Sequence, residues 1–314
     1  MIKVREIIES LDYKDFILNK EIMINGFQTL SDSMENKVLF IKKFDRENIE
    51  KIQNFRNCLI ILSDKYKSEV NNNENAYIFV ESPRFEFARV GNFLLSRFNK
   101  EVKYIDMGNY TKSDNCEIEN DVIIEPYVFI GNNVKIGSGT IVMTGAKIRD
   151  NVTIGENCII RENCVVGGYG FGLEKDYEGN NYRIPHVGGV VIEDNVEIGA
   201  LTTVCSGTIK PTMIKKYAKI DDHVHIAHNC IIEENCIVTA CAEVSGSVRL
   251  GKNCWLAPNT SIINGITIGD NCTIGMGSVV TKALERNKIV VGPMAEELEE
   301  AKKFVKIKKR LLNE

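Results

Sequence analysis

From residue 118 onward an aliphatic residue returns at every sixth position, and this period restricts the fold more than any other feature of the chain. An α-helix repeats its buried face every 3.6 residues and a strand every two, so neither gives an unbroken spacing of six. In a parallel β-helix, each hexapeptide is one flat side of a triangular coil, and its aliphatic residue points inward. Three hexapeptides close a coil, so the pattern predicts a left-handed parallel β-helix of about eight coils. The positions are Ile118, Ile124, Ile130, Ile136, Val142, Ile148, Ile154, Ile160 and Val166, then Ile192, Ile198 and Val204, then Ile214, Ile220, Ile226, Ile232, Val238, Val244, Leu250, Leu256, Ile262, Ile268, Ile274 and Val280.

A second column of small or β-branched residues stands two positions before the aliphatic one, and most of the ten cysteines belong to it. Buried free cysteines behave as small hydrophobic side chains, so we expect them to pack inside the prism. No Cys-x-x-Cys motif occurs, which argues against a disulfide framework or a cysteine-based metal site and favours a reducing cytosol. The cysteines of this column are Cys116, Cys158, Cys164, Cys230, Cys236, Cys254 and Cys272.

Composition narrows the function classes. A net charge of -4 and a pI near 5.8 argue against a nucleic-acid-binding protein. The charged, amphipathic start is unlike a signal peptide, and no apolar run is long enough to cross a membrane. The sequence therefore predicts a soluble cytoplasmic protein.

Three regions follow from where the six-residue period holds. Residues 1–112 lack it and read as a small α/β domain, with strands predicted at 38–41, 58–62 and 76–80 and a helix that opens at Pro83 and runs to about Phe98. Residues 113–292 are predicted to form the β-helix. Residues 293–314 are predicted to carry a C-terminal helix, either a charged surface helix or a cap that contacts a neighbouring subunit or an acidic carrier.

An insertion at 167–191 interrupts the β-helix, because the spacing from Val166 to Ile192 is not a multiple of six. It contains the glycine-rich run Gly167–Gly172 and the segment Tyr182–Gly189. A loop this long on a regular scaffold is more often functional than not. A shorter slip of the period falls between Val204 and Ile214.

Three of the four histidines lie close together, at His223, His225 and His228. Val224 and Ile226 point inward, so His225 points outward, and the other two lie near corners and also project outward. A smooth prism has no cleft of its own, so we expect a homotrimer with sites in the grooves between subunits. One chemistry for this cluster is general base catalysis by a neutral imidazole.

For that chemistry, stacking predicts an oxyanion donor. Gly246 follows His228 by three hexapeptides and so lies one coil along, where a glycine leaves its backbone N–H open to a tetrahedral intermediate. The competing chemistry is zinc. His223 and His228 have the His-x4-His spacing of the left-handed β-helix γ-carbonic anhydrases, and His186 is the candidate third ligand of such a hydratase. A non-catalytic β-helix scaffold is the remaining alternative.

The chain resembles the UDP-3-O-acylglucosamine N-acyltransferases of lipid A biosynthesis over nearly its full length. The resemblance implies an acyltransferase that moves an acyl group from a thioester to the amine of a nucleotide-linked amino sugar. It also implies the three-part layout described above, with a nucleotide-contacting first domain. The segments that carry it are Ile220–Asp221, His225–Asn229, Ser245–Ser247, Gly170–Gly172, Ile184–Pro185, Val196–Ala200 and Ser82–Arg89.

By position, the resemblance implies that His228 is the catalytic base and Gly246 the oxyanion donor. It places His225 and Asp221 where the family contacts the sugar, and Phe40 near the aromatic residue that stacks on uracil. His186 stands where the family has glutamine after Ile-Pro, and we expect it among the substrate-binding residues. No permanently bound cofactor or metal is implied; acyl-CoA or an acyl carrier protein is the co-substrate.

Two departures from the family bear on the substrate. Ile266 stands where the family has a second functional histidine, and Cys205–Gly207 replaces its Asp-Arg-Gly. The stretch from Asn253 to Gly277 is similar instead to small sugar N- and O-acetyltransferases. Two expectations therefore stand side by side: a long hydroxyacyl group from a carrier protein, as in lipid A synthesis, or a shorter acyl group from coenzyme A, as in the synthesis of modified deoxysugars.

Overall fold

The computed structural model describes residues 1–314 apart from 33, 43–44, 71–73, 99–101, 293, 296 and 313–314. The side chains of residues 46, 49, 301, 305 and 308–312 also lie outside the described part. The predicted region 293–314 is thus only partly covered; within it, a helix spans Leu298–Leu312. No helix in the described ranges is both long and apolar enough to cross a bilayer.

The predicted left-handed β-helix is confirmed: three parallel sheets form the faces of a triangular prism. Each turn of the chain contributes one short strand to each face. The first face contains Cys116–Ile118, Val134–Ile136, Val152–Ile154, Val190–Ile192, Thr212–Ile214, Ile231–Ile232, Arg249–Leu250 and Thr267–Ile268. The second contains Ile123–Ile124, Ile141–Val142, Ile159–Ile160, Glu197–Ile198, Lys219–Ile220, Ile237–Val238, Trp255–Leu256, Thr273–Ile274 and Ile289–Val290. The third contains Thr111–Ser113, Phe129–Ile130, Lys147–Ile148, Val165–Gly168, Thr203–Cys205, His225–Ile226, Glu243–Val244, Ser261–Ile262 and Val279–Val280, with Tyr104–Asp106 antiparallel at its start.

The core of the prism is the aliphatic column that the period predicted. From Ile130 to Val280 every residue of that column is buried, whereas Ile118 and Ile124, in the first coil, are only partly buried. All ten cysteines are free thiols, and those of the second column pack inside the prism, with Cys116 partly buried. Burial of these apolar columns stabilises the coil stack, since each coil covers the open end of the next.

Asparagines occupy many of the corners, in left-handed backbone that most other side chains adopt only with strain. Asn133, Asn151, Asn229 and Asn253 are examples, with φ between 55° and 62°. The interrupted stretch keeps the ladder aligned: Val166 pairs with Val204, and Val204 with Ile226. The insertion and the later slip are therefore extruded at corners, and the coils on either side remain stacked.

The N-terminal domain is a five-stranded sheet with flanking helices. The sheet runs in the order Phe16–Ile17, Ala76–Val80, Leu59–Ser63, Lys37–Phe40 and Gly26–Phe27, and a separate pair joins Ile2–Lys3 to Met23–Ile24. The helices are Val4–Ser10, Arg46–Ile52 and Pro83–Phe98, with a 3₁₀ turn at Asp64–Glu69. The helix Pro83–Phe98 begins at its proline, because the first N–H of a helix has no partner within the helix and proline lacks only that group.

The insertion folds into a β-hairpin that packs on the helix Pro83–Phe98. Its strands are Leu173–Lys175 and Asn181–Arg183. Phe85 of the helix meets Tyr177 and Tyr182 of the hairpin edge to face, with ring centroids 5.2 and 5.3 Å apart. Asn92 Nδ2 donates to the carbonyl oxygen of Arg183 at 3.0 Å. These contacts fix the insertion between the N-terminal domain and the prism.

Candidate active site

One edge of the prism, between the third and first faces, carries the catalytic candidates. The pairing of Val204 with Ile226, of Ile226 with Val244 and of Val244 with Ile262 aligns the residues that follow each by two positions. Ser206, His228, Gly246 and Asn264 therefore stand in successive coils along this edge. The stacking that the sequence predicted for His228 and Gly246 is present in the structure.

The side chain of Asn229 sets the tautomer of His228. Asn229 Oδ1 accepts hydrogen bonds from the backbone N–H of Thr208 at 3.3 Å and from its hydroxyl at 3.1 Å. His228 Nδ1 lies 3.0 Å from the same Asn229 atom. Because a backbone N–H can only donate, that atom is the oxygen, and His228 Nδ1 must carry its proton. His228 Nε2 is then the free lone pair, as a general base requires.

Gly246 leaves the space that the His228 ring fills. A Cβ atom at position 246 would lie 2.7 Å from His228 Cε1 and 2.8 Å from Nε2, closer than real Cβ contacts occur. The backbone φ of Gly246 is not positive, so the glycine serves proximity to the imidazole and not an unusual conformation. Any larger residue would displace the ring.

The backbone N–H of Gly246 is also free, unlike the matching groups at several other corners. At Asn132 and Lys252 this N–H donates to the carboxylate of the aligned residue one coil on, Asp150 or Asp270, at 2.9 and 2.8 Å. The residue aligned with Gly246 is Asn264, and the Gly246 N–H donates to no acceptor in the described part of the chain. An unpaired amide beside a candidate base is the arrangement that stabilises an oxyanion.

His186 lies against His228, although 42 positions separate them in the chain. The ring centroids are 5.2 Å apart and the planes meet at 63°. His186 is 4% exposed, its Nδ1 lies 3.0 Å from the carbonyl oxygen of Ile184, and its Nε2 has no hydrogen-bond partner among the described residues. Burial, together with the nearby His228 and Arg183, lowers the pKa of His186 to about 4. The ring is therefore neutral at physiological pH.

The glycine-rich run of the insertion covers these two imidazoles. A Cβ atom at Gly170 would lie 2.6 Å from His186 Nε2 and 2.8 Å from His228 Cβ, so only glycine fits there. Arg183 Nη1 donates to the Gly170 carbonyl oxygen at 3.0 Å and its guanidinium lies over the Phe171 ring. Phe171 and the nearby Tyr169 are exposed aromatic residues at the mouth of the site.

A cavity of about 550 Å³ extends along the same edge from His186 toward the N-terminal domain. One wall is apolar and comes from Leu95 and Phe98 of the helix; the opposite wall is polar and comes from prism corners such as Asn132, with exposed Arg149. The cavity ends at His186, beside the candidate base.

The other two histidines of the sequence cluster lie elsewhere on the third face. His225 is in the middle of the face, with Nδ1 2.6 Å from Thr203 Oγ1 and Glu243 next to it in the ladder. His223 is exposed at the opposite corner, in left-handed backbone. The predicted corner positions of His223 and His228 are confirmed, and the two corners lie on opposite sides of the strand His225–Ile226.

Asp221 shares the corner of His223 and has a structural role there. Its Oδ1 accepts from the backbone N–H of Asp222 at 2.8 Å and its Oδ2 from that of Ala240 at 3.0 Å. Both oxygens are thus engaged in closing the coil. The predicted contact of Asp221 with a sugar stays a prediction.

The zinc alternative finds no support in the geometry. Across the described ranges, no group of three histidine, cysteine, aspartate or glutamate side chains is arranged to hold a metal ion. His186 and His228 are in contact, but His223 stands at the far corner of the face. His186 reaches His228 because the insertion folds back onto this corner of the prism.

Phe40 lies in a second cavity, of about 290 Å³, in the N-terminal domain. Its ring packs against Phe87 with centroids 5.0 Å apart and remains partly exposed. Three cations, Lys42, Lys65 and Arg84, line this cavity together with the carboxylates of Glu81 and Glu174. Arg84 forms an ion pair with Glu174 of the hairpin, so the cavity adjoins the insertion that covers His228.

Several features of the site were not predicted. The contact between Asn229 and Thr208 is one of them. An asparagine directly after the histidine is a signal in the sequence, but Thr208 lies in the irregular slip after Val204, where the period predicts no position. Ile266, where the resemblance leads to a histidine, packs against the prism core. Ser206 is buried, and its hydroxyl accepts from the backbone N–H of Gly189 at 2.9 Å.

Comparison with known proteins agrees with this architecture. The family model described as "Bacterial transferase hexapeptide (six repeats)" matches residues 115–149, 133–168, 211–246 and 247–282. A UDP-3-O-acylglucosamine N-acyltransferase of Campylobacter jejuni is 37% identical over 301 residues, 92% of each chain. The enzyme of that name from Campylobacter lari is 40% identical over 127 residues, and this alignment spans 40% of each protein's length.

A solved structure supports the fold. The UDP-N-acetylglucosamine acyltransferase from Campylobacter jejuni aligns with a TM-score of 0.53 at 24% identity, covering 66% of this chain and 84% of that one. At this level of identity the likeness concerns the β-helix alone.

Proposed function

The chain belongs to the UDP-3-O-acylglucosamine N-acyltransferase family, and we propose from this premise that it transfers an acyl group from a thioester to the amine of a nucleotide-linked amino sugar. The observation that carries the proposal is the position of His228 beside Gly246. An imidazole with a free Nε2 lies next to a backbone N–H that has no acceptor among the described residues. General base catalysis and oxyanion stabilisation are the two functions that aminolysis of a thioester requires.

In the proposed reaction, the sugar amine attacks the thioester carbonyl and a C–N bond forms. His228 Nε2 removes a proton from the attacking nitrogen, and the Gly246 N–H donates to the developing oxyanion. Collapse of the tetrahedral intermediate breaks the C–S bond, and the thiolate leaves with the proton that His228 returns. The products are an amide and a free thiol, and His228 is again neutral.

The cavity with Phe40 suggests how the nucleotide is held. The base of a nucleotide can stack on the aromatic ring, and its phosphates can pair with Lys42 and Lys65. His225 lies at mid-face beside Glu243, three residues before His228, and is the proposed contact to the sugar. The acyl donor is acyl-CoA or an acyl carrier protein, with no permanently bound cofactor. The active form is a cytoplasmic homotrimer in which the neighbouring prism closes the groove at the His228 edge.

The test is a screen of acyl-CoA and acyl carrier protein donors against UDP- and dTDP-linked amino sugars, measured by thiol release. His228→Ala and His228→Gln are expected to lower kcat at least about 10²-fold on the pair that reacts best. Near wild-type turnover of either variant would rule out His228 as the base. Failure of wild type to bind any donor or nucleotide sugar would favour a non-catalytic scaffold, and stoichiometric zinc in the purified protein would favour a hydratase.

A further inference from the structure

We propose that His186 is a positioning residue for His228: its buried ring holds the imidazole of the base in the orientation that directs Nε2 toward Gly246. The effect on turnover rests on the proposed function, but the contact and the tautomer of His228 do not depend on it. The resemblance placed His186 among residues that touch the substrate; its burial supports a different role.

The His228 ring lies in a slot with three walls. Gly246 forms one, since a Cβ there would lie 2.7 Å from Cε1 of the ring. Gly170 closes the other end, since a Cβ there would lie 2.8 Å from His228 Cβ. His186 is the only side chain among the three, and its ring meets that of His228 edge on at a centroid distance of 5.2 Å. Edge-to-face contact between rings is directional, so His186 selects the plane of the His228 imidazole.

His186 is itself rigidly held. Its Nδ1 carries the proton because it faces a carbonyl oxygen, that of Ile184, at 3.0 Å. Gly170 and Gly172 pack against the other edge of the ring, where a Cβ at Gly172 would lie 3.0 Å from Cε1. His186 Nε2 is buried without a partner, which is unfavourable for a polar atom. The contact with His228 is the reason we give for a buried His186 ring at this place despite its unpaired Nε2.

A neutral ring at this place also suits the reaction. His228 gains a positive charge when it takes the amine proton, and a second cation 5.2 Å away would oppose that step. Burial keeps His186 uncharged, so it can pack against the base without weakening it. The lining of the ring by glycine backbone excludes water from this side of the site.

The N-terminal domain braces His186 through the insertion. Pro185 fills the space above Gly91 of the helix Pro83–Phe98, where a Cβ would lie 2.7 Å from its ring. Asn92 and Phe85 of the same helix hold the hairpin on the other side. The orientation of the base is therefore fixed by two parts of the chain that are far apart in sequence.

The experiment compares His186→Ala and His186→Phe with His223→Asn as the matched control. Phenylalanine keeps an aromatic edge, whereas alanine removes it; His223 is an exposed histidine on the coil of His228 that does not touch it. The chain has four histidines, so comparing the ¹⁵N NMR spectra of histidine variants with that of wild type assigns each imidazole signal. We expect His186→Ala to lower kcat at least tenfold with KM for the nucleotide sugar within twofold. Without the ring of His186, the His228 imidazole should turn away from Asn229 Oδ1, so His228 should change from the Nδ1–H tautomer to a mixture.

His186→Phe should retain most of the kcat and the Nδ1–H tautomer of His228, and the control should match wild type. A rise in KM alone would overturn the proposal, because it would make His186 a substrate contact. An unchanged His228 spectrum in folded His186→Ala would also overturn it. If His186→Ala does not fold, His186→Gln, which keeps a donor for Ile184 but has no ring, is used with the same expected losses. If wild type turns over no substrate, the acyltransferase proposal fails, while the NMR comparison still decides the role of His186.

Discussion

Gly246 and His228 occupy the same position in successive coils, and the His228 imidazole fills the volume that a side chain on Gly246 would need. The proposed base and the free amide therefore form one unit: the residue that offers the N–H must be the one that has no side chain. This relationship leads to a first prediction about position 246.

Gly246→Ala should lower kcat at least about 10²-fold, because its Cβ forces the imidazole away from the reacting atoms. The backbone at Gly246 accommodates alanine, so the thermal midpoint should fall only modestly. Gly265→Ala is the opposite control: Gly265 has φ +75° but nothing within 4 Å of a new Cβ, so stability should fall while kcat is preserved. Full activity of Gly246→Ala would contradict the proposed site.

Asn264→Asp should inactivate the protein, because it introduces the carboxylate that accepts the backbone N–H at other corners. A carboxylate at 264 is placed to accept from the Gly246 N–H as Asp150 accepts from Asn132, and it would add a negative charge where an oxyanion must form. We expect a loss of kcat of at least about 10²-fold, with unchanged or slightly higher thermal stability. Asn264→Ala is the control and should remain active. An active Asn264→Asp variant would show that the Gly246 N–H is not the donor.

His186 should make folding stability depend on pH in the mildly acidic range. Its pKa is about 4 in the folded state against 6.5 for an ordinary histidine, so between these values the unfolded chain binds a proton that the folded chain does not. Stability should therefore decrease as pH falls from about 6.5 to about 4, by up to about 3 kcal/mol from this group. Urea unfolding of wild type and His186→Gln at several pH values measures it. The variant should show a shallower slope, and an identical slope would contradict the burial of a neutral His186.

Nearly all thiols should be unreactive in the folded protein. Burial raises the pKa of Cys164 and Cys230 to about 12 and that of Cys205 to about 11, and thiolates are the reactive species. Only Cys241 is exposed among the ten. Titration with Ellman's reagent at pH 8 should detect one fast thiol, absent from Cys241→Ser, and all ten in denaturant. Fast reaction of several thiols would mean that the prism opens.

His223→Asn should stabilise the protein without affecting turnover. His223 has φ +58°, a backbone conformation that asparagine adopts with less strain. The gain should be on the order of 1 kcal/mol or less in the free energy of unfolding. Thermal unfolding and a thiol-release assay on the same sample test both parts. A large loss of activity would make His223 a functional residue and reopen the metal alternative.

The prism could be predicted from sequence because the six-residue period assigns each aliphatic residue a position in the coil. From Ile130 to Val280 the period and the buried column coincide, and the alignment of His228 with Gly246 follows from counting alone. The first coil differs, since Ile118 and Ile124 lie at an end of the stack.

The insertion could not be predicted in the same way, because no period governs it. His186 reaches His228 only through the hairpin, which docks by contacts such as Phe85 with Tyr177 that leave no mark in the local sequence. The same holds for Thr208, which lies in the slip and anchors Asn229. Repeats specify how coils stack; irregular segments take their shape from the surfaces they cover.

The uncapped amide at Gly246 suggests how a regular scaffold acquires reactivity. Other corners hold an equivalent N–H in nearly the same pose, already neutralised by an aspartate from the next turn. A new anion-binding socket on such a protein thus needs no added donor, only the loss of one carboxylate beside a suitable nucleophile or base. Catalysis on this architecture can therefore arise from the loss of one carboxylate, and a single substitution that restores the carboxylate can abolish the activity.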